Sequence, residues 1–273
     1  MRYILWTGGW DSTYLLAQRA REGGIIQPVY EKIQRDNLIR ERKARQAILP
    51  MLRRAAGIRA KIMDPIEVSE ESLPTSPAYD KAYETWKGKI APIYRSLGKM
   101  GMLYPGCEIG IEAPAPGTRK IGRTEKIMKD GGLILDDEGR IMPEKGDPAL
   151  LEIFGRLSFP LLHTNAAEML SDVKAWGYLD IFRNTWTCDT GLPKRCGVCH
   201  NCETKWKYGD TFRWMFSPEA QRDHAIKVKL SEQRGEELAD QFMWYVMDGR
   251  RVYGNENLEA YFKKLEEDYA SEI

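Results

Sequence analysis

Short apolar runs alternate with longer helical periodicity through the first sixty residues. Residues 3–6 form an apolar run of strand length that meets the pair Gly8-Gly9, and residues 13–21 then repeat apolar positions at helical spacing. That order predicts a buried strand, a tight turn and a helix start. Residues 25–30, introduced by Gly23-Gly24, read as a second strand. Residues 37–56 read as a helix striped by Ile39, Ala44, Ala47, Ile48, Met51, Leu52 and Ala55, with Pro50 expected to kink or split it. Residues 59–63 make a third short strand. This alternation predicts right-handed parallel crossovers in an α/β sheet, with ligands outside the carboxyl ends of the strands.

Further on, residues 64–76 hold two prolines among Ser, Thr and Glu and read as a loop over the active face. Residues 79–97 predict one or two helices with Tyr83, Trp86, Ile90, Ile93 and Tyr94 on a core side. Residues 108–113 read as a fourth strand and 119–129 as a helix. Residues 133–135 and 140–142, joined through Asp136 to Gly139, predict a β-hairpin projecting from the sheet as an insertion. A helix over 148–154, a fifth strand over 157–161 and a helix over 165–177 capped by Asn165 or Thr164 follow. The whole is an open, mainly parallel five-stranded sheet with helices on both faces. Three helices complete the chain, over 218–230, 236–247 and 257–269, with aromatic surface to bury on their own domain or across a homodimer. The expected boundaries are one domain over 1–210 and a helical extension over 211–273.

Composition narrows the function classes. With 273 residues, 42% hydrophobic and 30% charged, the pattern is that of a globular chain. No stretch approaches the roughly 18 uninterrupted apolar residues of a membrane span. The opening MRYILW runs straight into the first strand, so a cytoplasmic location is expected. A net charge of +1 gives no general attraction to nucleic acid. The basic cluster from Arg35 to Lys61, Arg45 included, reads as a solvated helix face rather than a nucleic-acid surface, and the tail carries nine basic against thirteen acidic residues.

Chemistry concentrates at two places. In Thr7-Gly8-Gly9-Trp10-Asp11-Ser12-Thr13 the glycines allow an anion to approach backbone N–H groups, the hydroxyls add donors, and the following helix adds its positive end. The result is a phosphate cradle or, more plainly, a strand-to-helix turn with an Asp-Ser cap. The second place is Cys188, Cys196, Cys199 and Cys202, a C-x7-C-x2-C-x2-C pattern that can set four thiolates around one ion. Structural zinc is the expected occupant; an iron–sulfur cluster also takes four thiolates and shares this spacing. His200 reads as a bystander, and Cys107 as a small buried residue.

Thr7-Gly8-Gly9-Trp10-Asp11-Ser12 resembles the Ser-Gly-Gly-X-Asp-Ser signature of the PP-loop ATP-pyrophosphatases, with Thr7 keeping the first hydroxyl. Pro160-Leu161-Leu162, the helix after Asn165, Thr185-Trp186-Thr187-Cys188 and Cys196-Gly197-Val198-Cys199 with Cys202 resemble the end of the 7-cyano-7-deazaguanine synthase family. The resemblance spans residues 1–210. It implies an adenine nucleotide alpha hydrolase-like fold and ATP-dependent conversion of a deazapurine carboxylate to a nitrile with ammonia. By the same resemblance, Thr7 to Thr13 would bind ATP with Mg²⁺, Asp11 and Ser12 being catalytic, and the four cysteines would hold zinc. Glu112 stands where the family has Asn, and Pro114 to Arg119 replaces its substrate loop, so Glu112 and Arg119 are the implied substrate contacts. A different acceptor, such as a tRNA base for thiolation or another small acid, and a nucleotide-binding partner protein without turnover are the other readings.

Overall fold

The computed structural model describes residues 1–32, 37–116, 122–142, 145–252 and 254–271. They divide into two compact units, Met1–Gln34 with Glu41–Thr185, and Arg35–Arg40 with Trp186–Ile273.

The first unit is built on a parallel sheet. Strand β1 (Arg2–Leu5) leads into α1 (Trp10–Glu22), β2 (Ile25–Lys32), α2 (Leu38–Arg54) and β3 (Lys61–Ile62). Next come β4 (Ile66–Ser69), α3 (Pro77–Trp86), α4 (Tyr94–Leu103), β5 (Cys107–Ile109), α5 (Arg123–Asp130), α6 (Pro148–Phe154), β6 (Leu157–Ser158), α7 (Ala166–Ala175) and α8 (Leu179–Phe182). Among the described residues the sheet has six strands in the order β3-β2-β1-β5-β6, with β4 also on β2, and their pairings are all parallel. The chain builds outward from β1 on one side through β2, then returns to build β5 and β6 on the other. The strand order therefore reverses between β1 and β5, the position at which open parallel sheets present a crevice at their carboxyl ends.

Four elements differ from the pattern reading. The expected loop over 64–76 contains β4, whose Ile66–Ser69 pairs with Val29–Lys32. It escapes a hydrophobicity reading because only Val68 of the four is buried, as befits an edge. Between the pairs Ile26↔Ile62 and Val29↔Ile66 the edge has one residue more than β2, a bulge at Met63-Asp64-Pro65. Gln27 fills it, donating to the Asp64 carbonyl at 2.7 Å. Second, Pro50 does not split α2, which is continuous over Leu38–Arg54; Pro50 and Gln46 are both exposed, so the carbonyl that loses its partner meets water. Third, the turn at Asp136 to Gly139 does not project: Arg140 bridges antiparallel to Ser158, and Phe159 donates to the Gly139 carbonyl at 2.8 Å, covering the β6 edge. Fourth, Ile93 is exposed, while Tyr79, Tyr83, Ile90 and Tyr94 are core. Helix α7 follows its sequence signal closely. Asn165 caps the Ala167 and Glu168 N–H groups, and Glu168 returns a bond to the Asn165 N–H.

In the second unit the cysteine loop runs into α9 (His200–Trp206), a 3₁₀ turn (Gly209–Met215), α10 (Pro218–Arg234), α11 (Glu236–Met247) and α12 (Glu256–Ser271). Phe242, Tyr245 and Phe262 meet with centroids 5.3 to 5.9 Å apart and join α11 to α12. Arg250 binds Asp223 (2.8 Å) and Glu219 (3.1 Å) of α10 and Glu266 (2.9 Å) of α12. Burial pushes the Asp223 carboxyl up to about 6, and the Arg250 and Arg222 guanidinium groups pull against that rise. Arg250 is also the one non-glycine residue with positive φ, +67°, among those described.

Opposite effects therefore meet at this position. Removing one partner of a buried ion pair costs about 3–5 kcal/mol, and Arg250, 29% exposed, lies at the lower end of that range. Glycine relieves about 1 kcal/mol of left-handed strain. Arg250→Ala should lower unfolding free energy in urea by about 3 kcal/mol, and Arg250→Gly by about 1 kcal/mol less. Equal losses would mean the backbone there is unstrained.

Candidate active site and metal centre

The turn after β1 is held by its own hydroxyls. Thr7 Oγ1 and Ser12 Oγ lie 3.1 Å apart, the Thr7 N–H donates to Ser12 Oγ at 3.3 Å, and the Gly9 N–H donates to Thr7 Oγ1 at 3.2 Å. A hydroxyl at position 7 thus does the structural task whether it comes from Ser or Thr. Gly8 takes φ +84°, open to glycine and costly for other residues, and it is packed against α2: an added Cβ would lie 3.1 Å from Arg45 Cγ and from the Glu41 carbonyl. Gly9 is the N-cap of α1 and has no side chain to cap it.

Two donors of this turn stand out. Gly8 and Ser12 are buried, yet among the described residues no acceptor meets the N–H of either. A buried amide without a partner costs free energy comparable to a lost hydrogen bond, so such groups call for an explanation. Both lie where the strand order reverses, beyond the carboxyl end of β1.

The side chains of the predicted site divide. Asp11 sits half-buried in the first turn of α1. Thr13 is fully buried and its hydroxyl accepts from the Trp6 indole at 3.0 Å, so it braces the turn from within. Trp10 is a core residue, set edge-on to Phe182 at 5.0 Å, and contributes to the turn through its backbone. Glu112 follows β5 by three residues on the same edge of the sheet, half-buried. Arg119 lies outside the described residues.

Sequence reasoning passed over two members. Gly110, just past β5, is so close to α1 that an added Cβ would lie 2.8 Å from Ser12 N and 2.9 Å from the Asp11 carbonyl carbon. Its lack of a side chain lets β5 and the first turn of α1 come this close. Arg45, expected on a solvated face, is 4% exposed. Its guanidinium lies 3.3 Å from the Tyr30 ring centroid and donates to Glu67 at 3.1 Å and, over a long 3.4 Å, to the Thr7 carbonyl. The Tyr30 hydroxyl donates to Glu41 at 2.7 Å. Arg42 and Arg53 of the same basic run pair with Glu67 and Asp64. Three cations of the run thus share two acids that follow it in sequence.

In the second unit the ligand atoms of Cys188, Cys196, Cys199 and Cys202 all lie within 4.8 Å of one another, and all four residues are buried. Three separations are 3.5, 3.9 and 4.0 Å. A tetrahedral ion with metal–sulfur bonds near 2.3 Å sets its sulfurs about 3.8 Å apart, so the four can hold one metal ion. Gly197, at φ +79°, turns the Cys196-Gly-Val-Cys199 segment. The Cys199 N–H donates to Cys196 Sγ at 3.3 Å and the Cys196 N–H to Cys188 Sγ at 3.4 Å, which favours the thiolate forms a metal needs. Hydrogen bonds from the other three thiols pull the Cys188 thiol below its ordinary value. His200 is exposed and outside the cluster. Cys107 is wholly buried in β5, with burial pushing its thiol up to about 12, as expected of an inert core residue.

The cysteine loop is tied to α9, to the 3₁₀ turn and to α10. Lys227 of α10 donates to the Val198 carbonyl at 3.3 Å, Trp206 to the Gly197 carbonyl at 2.9 Å, and Arg195 to the Met215 carbonyl at 2.7 Å. At Gly197 an added Cβ would lie 2.2 Å from the Ala220 carbonyl oxygen. No helix among the described residues is long and apolar enough to cross a membrane. A scan of the chain against protein-family models gave no match, and neither did a search of curated proteins.

Proposed function

We propose that the protein is an ATP-pyrophosphatase of the PP-loop type that adenylates a carboxylate and aminates it, with 7-carboxy-7-deazaguanine as the first acid to test. The observation that carries this reading is the pair of buried residues, Gly8 and Ser12, whose N–H groups meet no acceptor at the reversal of strand order. A polyphosphate supplies the missing acceptors, and the amino end of α1 favours its charge. Fixed donors of this kind stabilise charge that builds on pyrophosphate as it leaves, without rearranging during the reaction.

In this scheme the carboxylate oxygen attacks the α-phosphorus of ATP, the α–β phosphoanhydride bond breaks, and pyrophosphate leaves. Ammonia then displaces AMP to give the amide, and a second activation of the amide oxygen removes it to leave the nitrile. Thr7 and Ser12 keep the turn in shape, Gly8 and Ser12 offer backbone donors, Gly9, whose N–H is held by Thr7 Oγ1, lets the backbone come close to the phosphates, and Asp11 is the proposed catalytic carboxylate of the turn. Mg²⁺ arriving with ATP offsets the charge of the phosphates. Glu112 and Arg119 are the proposed contacts to the acid. The ion held by the four cysteines is proposed to be zinc, because the sulfurs converge on one point, whereas a polynuclear cluster distributes its thiolates over separate irons. With all four positions filled by protein its role is structural.

The purified protein should form AMP and pyrophosphate from ATP only when the deazapurine acid and ammonia are present. Exchange of labelled pyrophosphate into ATP with a different small acid, and none with this one, would move the proposal to another acceptor. No exchange with any acid, beside intact ATP binding, would favour a nucleotide-binding partner protein instead.

A further inference from the structure

Arg45 lies behind the turn, and its placement bears on the Gly8 donor. The Thr7–Gly8 peptide is trans, as every described peptide is, so its C=O and N–H point in opposite directions across one plane. Arg45 takes the carbonyl end, donating from Nη1 to the Thr7 oxygen, while its Cγ abuts Gly8. The N–H end is thereby turned away from α2. A guanidinium can do this because it is itself fixed from two sides, by the Tyr30 ring beneath it and by Glu67 on its second nitrogen. Tyr30 is in turn held by Glu41, one helical turn before Arg45 on α2.

We infer that Arg45 is a positioning residue of the candidate nucleotide site: by holding the Thr7 carbonyl it aims the Gly8 N–H at the polyphosphate. The inference rests on the reading given under Proposed function. A lysine keeps the charge but has no planar fork to bind Glu67 and the Thr7 oxygen together while lying on Tyr30. A methionine keeps the apolar packing against Gly8 and Tyr30 and removes the donor.

The test is calorimetric titration of the folded protein with inorganic pyrophosphate and with ATP, for the unmodified chain, Arg45→Met, Arg45→Lys and Glu67→Gln. Arg45→Met should weaken pyrophosphate binding about tenfold, the worth of one aimed hydrogen bond. Arg45→Lys should recover only part of that loss, and Glu67→Gln, which leaves Arg45 in place but loosens it, should lose about threefold. A purely structural role leaves affinity unchanged at temperatures well below unfolding. Unchanged affinity in folded Arg45→Met overturns the inference while the nucleotide site stands. If Arg45→Met does not fold, unchanged affinity in both Arg45→Lys and Glu67→Gln overturns it equally. No binding of either ligand by the unmodified protein overturns the site and the inference together.

Discussion

Replacing Gly110 by alanine should lower ATP–pyrophosphate exchange by about 100-fold while leaving a folded protein. The methyl group would lie 2.8 Å from Ser12 N and 2.9 Å from the Asp11 carbonyl carbon, distances at which backbone must shift. Both clashes fall on the first turn of α1, so the shift moves the donors themselves, and a displacement near 1 Å can cost about two orders of magnitude in rate. The added volume costs stability as well, about 1–3 kcal/mol for overpacking, which thermal unfolding of the variant measures separately. Gly106, which has open space where its Cβ would be, is a suitable second position for comparison, although its φ of +76° charges any substitution some strain. Full exchange activity in Gly110→Ala would mean that the space between β5 and α1 is not part of the site.

Removing the metal should have the largest effect on the second unit. Structural zinc in small domains contributes on the order of 10–16 kcal/mol of apparent binding free energy, much of it expressed as folding. Here the loop that would lose its ion is the surface on which α10 begins, through Gly197 on Ala220 and Lys227 on Val198. Freed of metal, four thiols confined within 4.8 Å repel one another as soon as more than one ionises. Metal analysis should find one zinc per chain, and treatment with a strong chelator under reducing conditions should reduce the helical circular dichroism of α9 to α12 and expose that unit to protease. Cys199→Ser should do the same in part. Unchanged helicity and protease resistance after complete metal loss would mean that the three tail helices hold the loop, and not the reverse.

How far the sequence reached depended on where each residue's partner lies. The β1–turn–α1 unit is readable because its signals are adjacent: an apolar run, two glycines and a helical stripe. So are the cysteine ligands, whose spacing is itself the constraint, and α7, whose cap and answering glutamate stand three residues apart. Gly110 is not readable, because a glycine inside a strand-like run gives no sign that another backbone comes within contact distance. Arg45 belongs to a basic run that invites a solvated reading; its burial depends on Tyr30 before it and Glu67 after it, and neither follows from helical periodicity. Strand β4 is hidden by its own polarity, since an edge next to a bulge needs few apolar positions.

That bulge also determines which charges α2 meets. Tyr30 and Glu67 are register partners, so both side chains stand on the face toward α2. Counting along the edge from Ile62, strict pleat alternation would put Ile66 on that face and turn Glu67 to the opposite one. The single surplus residue at Met63-Asp64-Pro65 works like a frameshift in the pleat, exchanging an isoleucine for a carboxylate under Arg45. Deleting one of these three residues would flatten the edge yet keep Glu67 opposite Tyr30, whereas a one-residue insertion, in what reads as a tolerant surface connection, would reverse the parity of the strand and leave a buried cation facing hydrocarbon.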